Sequence, residues 1–104
     1  MQSFLEKAEE LNALKFGDFT LKSGIKSKYF FDISKFFDNS SLSILSKHYV
    51  ELIIKNNLDF NCMFGPAYKG IPLTAAVSLE YFNKTGRQIS LAFDRKEAKL
   101  HGEG

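Results

Sequence analysis

The stretch "FNCMFGPAYKGIPLTAAVSLEYFNKTGRQISLAF", residues 60–93, decides the fold of this chain. A short apolar run, 61–64, meets a loop carrying Gly65 and Gly70. A helix is predicted to begin near Ile71, because Pro72 fits the first turn of a helix, where backbone N–H groups are spare. Gly86 is placed to end it as the residue just past the helix. "QISLAF", 88–93, is a second short apolar strand. Strand, loop, helix and strand in that order make a βαβ unit, which predicts a parallel pair joined by a right-handed crossover. Parallel strands are normally covered on both faces and belong to larger sheets. Two of them alone make a poor sheet.

Upstream, residues 3–14 read as a helix. Ser3 and Glu6 have the spacing of a capping box, and Phe4, Ala8 and Leu11 recur at helical intervals. "KFGDFTLKSG" and "KYFFDI" change to strand chemistry, with Gly17 and Gly24 as punctuation, and predict a small antiparallel ribbon. In the second segment Tyr29, Phe31 and Ile33 alternate against Phe30 and Asp32. The serine-rich "DNSSLS" offers N-caps for a helix over about 41–56, with Leu42, Leu45, Tyr49, Leu52 and Ile53 as its apolar stripe.

The 104 residues fit one small domain, and 44% hydrophobic with 14% aromatic content is too apolar for a disordered chain. A net charge of +2, with acids and bases interspersed, argues against a dedicated nucleic-acid binder. One cysteine, Cys62, excludes an internal disulfide and fits a reducing cytoplasm. Its strand context predicts burial, and no metal-ligating partners stand near it. No apolar run approaches the roughly 20 residues of a membrane span.

Two segments carry most of the chemistry. In "FGPAYKGIP" a loop leaves the C-terminal end of a parallel strand, where α/β sheets bind ligands. Its glycines allow tight backbone turns, the following helix points free N–H groups at it, and Lys69 adds a full charge. This combination suits an anion, above all a phosphate. An ordinary βα connection with a solvated lysine has the same spacing. In "DRKEAKLHG", directly after the next strand, Arg95, Lys96, Lys99 and His101 can converge on a polyanion, and His101 can move protons near neutral pH. Asp94, Glu97 and Glu103 balance the charge, as on a solvated face. Lys22 stands at a strand end before a turn. Alternation puts Phe30 and Phe31 on opposite faces, one for a core and one for stacking or solvent. His48 lies beside an apolar helical stripe and reads as packing. "KTGR", 84–87, follows a helix instead of preceding one and is discounted as a phosphate loop.

Taken together, "FGDFTLKSG", "YFFD", "FGPAYKGIPL" and "FDRKEAKLHGEG" resemble orotate phosphoribosyltransferase of the bacterial type, in that family's order and close to its spacing. The resemblance runs from about residue 14 to the last residue. It implies an α/β fold: an N-terminal helix and small antiparallel hood, 1–38, followed over 39–104 by the first βαβ of a type I phosphoribosyltransferase core. By this resemblance the chain corresponds to the N-terminal half of such an enzyme. Lys28 stands where the family usually has proline. No match occurs to the family's acidic pair and small-residue phosphate loop, so 104 residues by themselves are expected to lack useful catalysis.

The resemblance further implies the reaction and its equipment. 5-Phosphoribosyl 1-diphosphate (PRPP) and orotate would give orotidine 5′-monophosphate and diphosphate, with Mg2+ carried on the diphosphate. Lys22 would contact PRPP, Phe30 and Phe31 would form part of the orotate pocket, and Tyr68 and Lys69 would lie in the diphosphate loop. Arg95, Lys96, Lys99 and His101 would belong to a closing loop that reaches the neighbouring site of a cytoplasmic homodimer, with Arg95, Lys99 and His101 the catalytic members. The alternative is a non-catalytic anion-binding or interaction module that keeps the front half of the fold.

Overall fold

A computed structural model describes residues 3–97. The chain forms two compact units, Met1–Leu45 and Ser46–Gly104.

The first unit starts with helix α1, Phe4–Glu10. Ser3 Oγ accepts from the Glu6 amide at 3.2 Å, as the capping spacing predicts, and the Glu6 carboxylate accepts from the Ser3 hydroxyl at 3.1 Å. The helix is shorter than the predicted 3–14 because Asn12 takes a left-handed conformation, φ +58°. The Asn12 and Ala13 amides then donate to the carbonyls of Glu9 and Ala8, a Schellman closure that returns the chain at once.

Strands β1, Leu14–Thr20, and β2, Lys26–Phe31, pair antiparallel as expected. Their register shifts between Phe16 and Phe19, a bulge at which Gly17 adopts φ +150°. Lys28 falls outside the paired positions, and its Nζ lies 2.7 Å from Asp18 Oδ1.

Asp32 ends β2 by capping a short 3-10 helix, Ile33–Phe36, through bonds from the Ser34 amide and hydroxyl. Ile33 therefore leaves the strand alternation predicted for it. The unit's core is aromatic. Phe36 is fully buried and stacks on Phe4 at 5.5 Å, and Phe31 lies 5.9 Å from Phe4 and 6.0 Å from Phe36. Ala8 within α1 and Ala13, just before β1, are also buried.

Helix α2, Asn39–Lys55, is capped by Asp38 and not by the serines themselves. Asp38 Oδ1 accepts from the Ser41 amide at 2.8 Å, and both serine hydroxyls donate to the same carboxylate. These bonds, the Ser41 amide first, hold the Asp38 carboxyl below its ordinary pKa. Asn57, φ +51°, closes the helix by a second Schellman pair, with Leu58 donating to Ile53 and Asn57 to Ile54. The buried positions are Ser41, Leu45, Ser46 and Val50, whereas Tyr49 and Leu52 are exposed. The inward stripe is thus rotated from the predicted one toward small hydroxyl residues.

The second unit contains β3, Cys62–Gly65, helix α3, Gly70–Thr85, and β4, Ser90–Phe93. The strands pair in parallel, Cys62 with Ser90 through Gly65 with Phe93, as the βαβ reading predicts. Gly86, φ +73°, ends α3 by donating its amide to Phe82. Val50, Val77 and Tyr81 form the buried cluster, with Ile53, Phe60, Met63, Leu73 and Ile89 packed around it. Arg87 closes this core from outside. Its guanidinium meets the Tyr81 hydroxyl at 3.4 Å and Asp59 at 2.8 Å, and lies 5.8 Å from the centre of the Phe60 ring. The Tyr81 hydroxyl and Asp59 raise its pKa further. "KTGR" is therefore structural, in line with its being discounted as a phosphate loop.

The two-stranded sheet leaves β4 exposed along its length, together with Phe64. Cys62, expected to be buried, is exposed for the same reason: burial of a parallel strand needs cover on both faces.

Candidate functional site

The site lies where β3 and β4 end side by side. Gly65 is the last residue of β3 and is buried. A β-carbon there would stand 2.6 Å from the Gly70 carbonyl oxygen and 2.7 Å from Thr74 Oγ1. One on Gly70 would stand 2.7 Å from Pro66 Cδ. Only glycine fits at both ends, so the loop between them doubles back tightly and residues 66–69 project beyond the strand. The Ala67–Tyr68 peptide is cis. The Ile71 amide donates to the Tyr68 carbonyl at 3.2 Å, drawing the loop onto the start of α3.

The loop therefore sits on the N-terminus of a 16-residue helix with no acidic residue in its first turn. Pro72 has no N–H, and the Ile71 and Leu73 amides are bonded to the Tyr68 and Lys69 carbonyls, so it is chiefly the dipole of that end that favours an anion. Across the strand pair, Asp94 Oδ1 accepts from the Ala67 amide at 2.7 Å. Tyr68, Ile71, Phe93, Asp94, Arg95 and Glu97 line an open cavity of about 380 Å³. Tyr68 is 61% exposed, and Lys69, Arg95 and Lys96 also face solvent, with room for an incoming ligand.

The residues singled out from the sequence fall as follows. Tyr68 and Arg95 share one cavity, while Lys69 and Lys96 flank it in sequence without lining it. Lys99 and His101 lie outside the described residues. Lys22, Phe30 and Phe31 belong to the first unit. Lys22 sits within the turn itself, exposed, where the Gly24 amide donates to the Leu21 carbonyl. Phe31 points into the aromatic core and Phe30 is 40% exposed, 5.9 Å from Phe19, so the two rings divide as alternation predicts.

Sequence reasoning overlooked Thr74 and the role of Asp94. Asp94 counted only as a charge offsetting its basic neighbours. Among the described residues, no group of three His, Cys, Asp or Glu side chains is placed to hold a metal ion.

No family model matches the chain. The curated relatives are consistent with one another. The chain is 52% identical over 100 residues to an orotate phosphoribosyltransferase of Schizosaccharomyces pombe, covering 96% of this chain and 46% of that protein. It is 47% identical over 103 residues to the orotate phosphoribosyltransferase of Halorhodospira halophila, covering 99% and 48%. Among solved structures, an orotate phosphoribosyltransferase of Francisella tularensis superposes with a TM-score of 0.75 at 47% identity, over 89% of this chain and 46% of that one. A UMP synthase of Leishmania donovani shares the fold, with a TM-score of 0.67 at 23% identity over 97% of this chain and 22% of that one. The chain thus spans about half the length of the curated relatives it matches, and over that span it belongs to the orotate phosphoribosyltransferase family.

Proposed function

We propose that this chain supplies the diphosphate-binding half of an orotate phosphoribosyltransferase. The full protein would transfer the 5-phosphoribosyl group of PRPP to orotate, giving orotidine 5′-monophosphate and diphosphate on the route to pyrimidine nucleotides. One observation carries the reading: in a chain about half identical to these enzymes, the Gly65–Gly70 loop is folded onto the N-terminus of α3, with Tyr68 and Arg95 facing one cavity.

The chemistry asks for this equipment. As the bond from C1′ to the diphosphate breaks, negative charge builds on the leaving group and the ribose gains cationic character. The dipole of α3, Lys69, Arg95 and Lys96 are fixed or tethered dipoles and cations that stabilise the first. Lys99 and His101 would complete the basic segment, and its closure would keep water from consuming PRPP. Lys22, Phe30 and Phe31 would meet PRPP and orotate. Magnesium enters with the diphosphate, as part of the substrate, and no step is assigned to a protein-bound ion. A homodimer in which the segment 94–104 reaches the neighbouring site, in a reducing cytoplasm, fits the same reading. No helix among the described residues is long and apolar enough to cross a membrane.

Two measurements on the 104-residue polypeptide test this. Calorimetry should register binding of PRPP or inorganic diphosphate. Loss of orotate absorbance with PRPP should be negligible, because the polypeptide spans under half of its relatives' length. Absence of any diphosphate binding would overturn the anion-site reading. Turnover at a rate near that of the full-length enzymes would overturn the incompleteness.

A further inference from the structure

We propose that Asp94 is the positioning residue of the anion loop, taking with its carboxylate the amide of Ala67, the first beyond the strand ladder that faces β4. The inference rests on the anion-site reading above, and its test separates the two.

The β3–β4 ladder ends at Gly65 and Phe93. The Asn61 carbonyl accepts from the Ser90 amide, so residues 61, 63 and 65 turn their backbone groups toward β4 and Pro66 turns away from it. Ala67 is the first residue beyond the strand whose amide faces β4. The first residue beyond β4 is Asp94, and its Oδ1 takes the Ala67 amide at 2.7 Å, a contact between residues 27 apart in sequence. A carboxylate accepting from a backbone N–H is among the stronger hydrogen bonds. The pairing of the two strands is in this way carried past the end of the ladder by a side chain.

The consequence is geometric. The far end of the loop is already held by the backbone contact of Gly65 with Gly70 and by the bond from Ile71 to Tyr68. What remains free is the path through Pro66 and Ala67, and the Asp94 contact removes that freedom. It also registers Arg95, the following residue, against the same cavity that Tyr68 lines. The bond uses an oxygen acceptor. The negative charge on it is no help to a site for diphosphate, because like charges repel. Position and charge therefore predict opposite outcomes when the carboxylate is removed.

The test compares Asp94→Ala, Asp94→Asn and, as a control in the first unit, Asp18→Asn. Inorganic diphosphate binding is measured by calorimetry, thermal midpoints are recorded, and the amide resonances and exchange rates of Ala67 through Ile71 are followed by NMR. Asp94→Ala should weaken diphosphate roughly tenfold, while Asp94→Asn, which keeps the acceptor, stays within about twofold or binds tighter. Midpoints should match the control, Ala67 exchange should rise only in the alanine variant, and the Tyr68, Lys69 and Gly70 resonances should shift there. Equal or tighter binding by Asp94→Ala would show that charge, not position, dominates and would overturn the proposal. So would unchanged loop resonances in that variant, or equal losses in both variants alongside lowered midpoints. If the unsubstituted chain bound no diphosphate, the anion-site reading would fall, and the loop resonances would still decide the role of Asp94.

Discussion

Gly65 meets Gly70 so closely that a β-carbon on the first would stand 2.6 Å from the carbonyl oxygen of the second. The obstacle is backbone, together with Thr74 at 2.7 Å, and backbone cannot swing aside as a side chain does. Gly65→Ala and Gly70→Ala should each cost about 1–3 kcal/mol, the usual range for overpacking. Urea denaturation reads the loss. Diphosphate affinity should fall in both variants, because the loop must reopen to admit the methyl group.

The first unit depends on Phe36. It is fully buried against Phe4 and Phe31, so Phe36→Ala should destabilise by about 3–5 kcal/mol. Phe30, on the other face, should lose only about 0.5–1 kcal/mol on truncation, from its partial exposure and its contact with Phe19. Equal losses in chemical denaturation would mean that the two rings do not divide between core and surface.

Asn12 and Asn57 each hold a left-handed backbone at a helix end. Alanine should cost about 1 kcal/mol at either position, because its β-carbon crowds the carbonyl in that conformation. Glycine, which avoids the clash, should be neutral or slightly stabilising. Thermal unfolding of the four variants ranks them.

Asp38 should make stability depend on pH in one direction. Its folded pKa lies below the ordinary value of 3.8, first through the Ser41 amide. The native state thus binds fewer protons than the unfolded chain in that range. The contribution is fully present above the ordinary value and is lost as pH falls through the lowered one. Asp38→Asn keeps an acceptor but cannot titrate. The difference in urea midpoint between the two proteins should be constant at neutral pH and shrink below 3.8, and added salt should reduce it, since Asp38 is exposed.

Lys69 and Arg95 should carry much of the charge-dependent affinity. Lys69→Ala and Arg95→Ala should each weaken inorganic diphosphate by about tenfold, with a shallower dependence on salt. Arg95→Lys should recover part of the loss, because it restores the charge without the paired N–H fork. Calorimetry at two ionic strengths measures both effects.

Much of this was legible before any coordinates. The capping spacing of Ser3 and Glu6, the stop at Gly86, the antiparallel ribbon and the βαβ order of residues 61–93 all stand in the structure. So does the joining of "GPAYKG" to the segment after β4 at the ends of two parallel strands. These features are local, or follow from one connection rule, so neighbouring residues are enough to specify them. Asparagine as a helix terminator was missed at Asn12, and α2 begins at Asn39, two residues before the predicted start, with Asp38, the first residue of "DNSSLS", as its cap. Both errors concern residue types with several local hydrogen-bonding options, which sequence spacing alone does not rank.

From the amino-acid sequence came the order of elements, the glycines that only a tight loop requires, and the family, because these reside in local stereochemistry and in motif identity. Folding decided the rest. Which side of α2 turns inward, which of two adjacent phenylalanines enters the core, and why Cys62 is exposed all depend on what packs against each face. The bond from Asp94 to the Ala67 amide depends on the register of two strands that a 16-residue helix separates in the chain. Such a contact is set by tertiary alignment to within a single residue, which the composition and spacing of either segment alone do not specify.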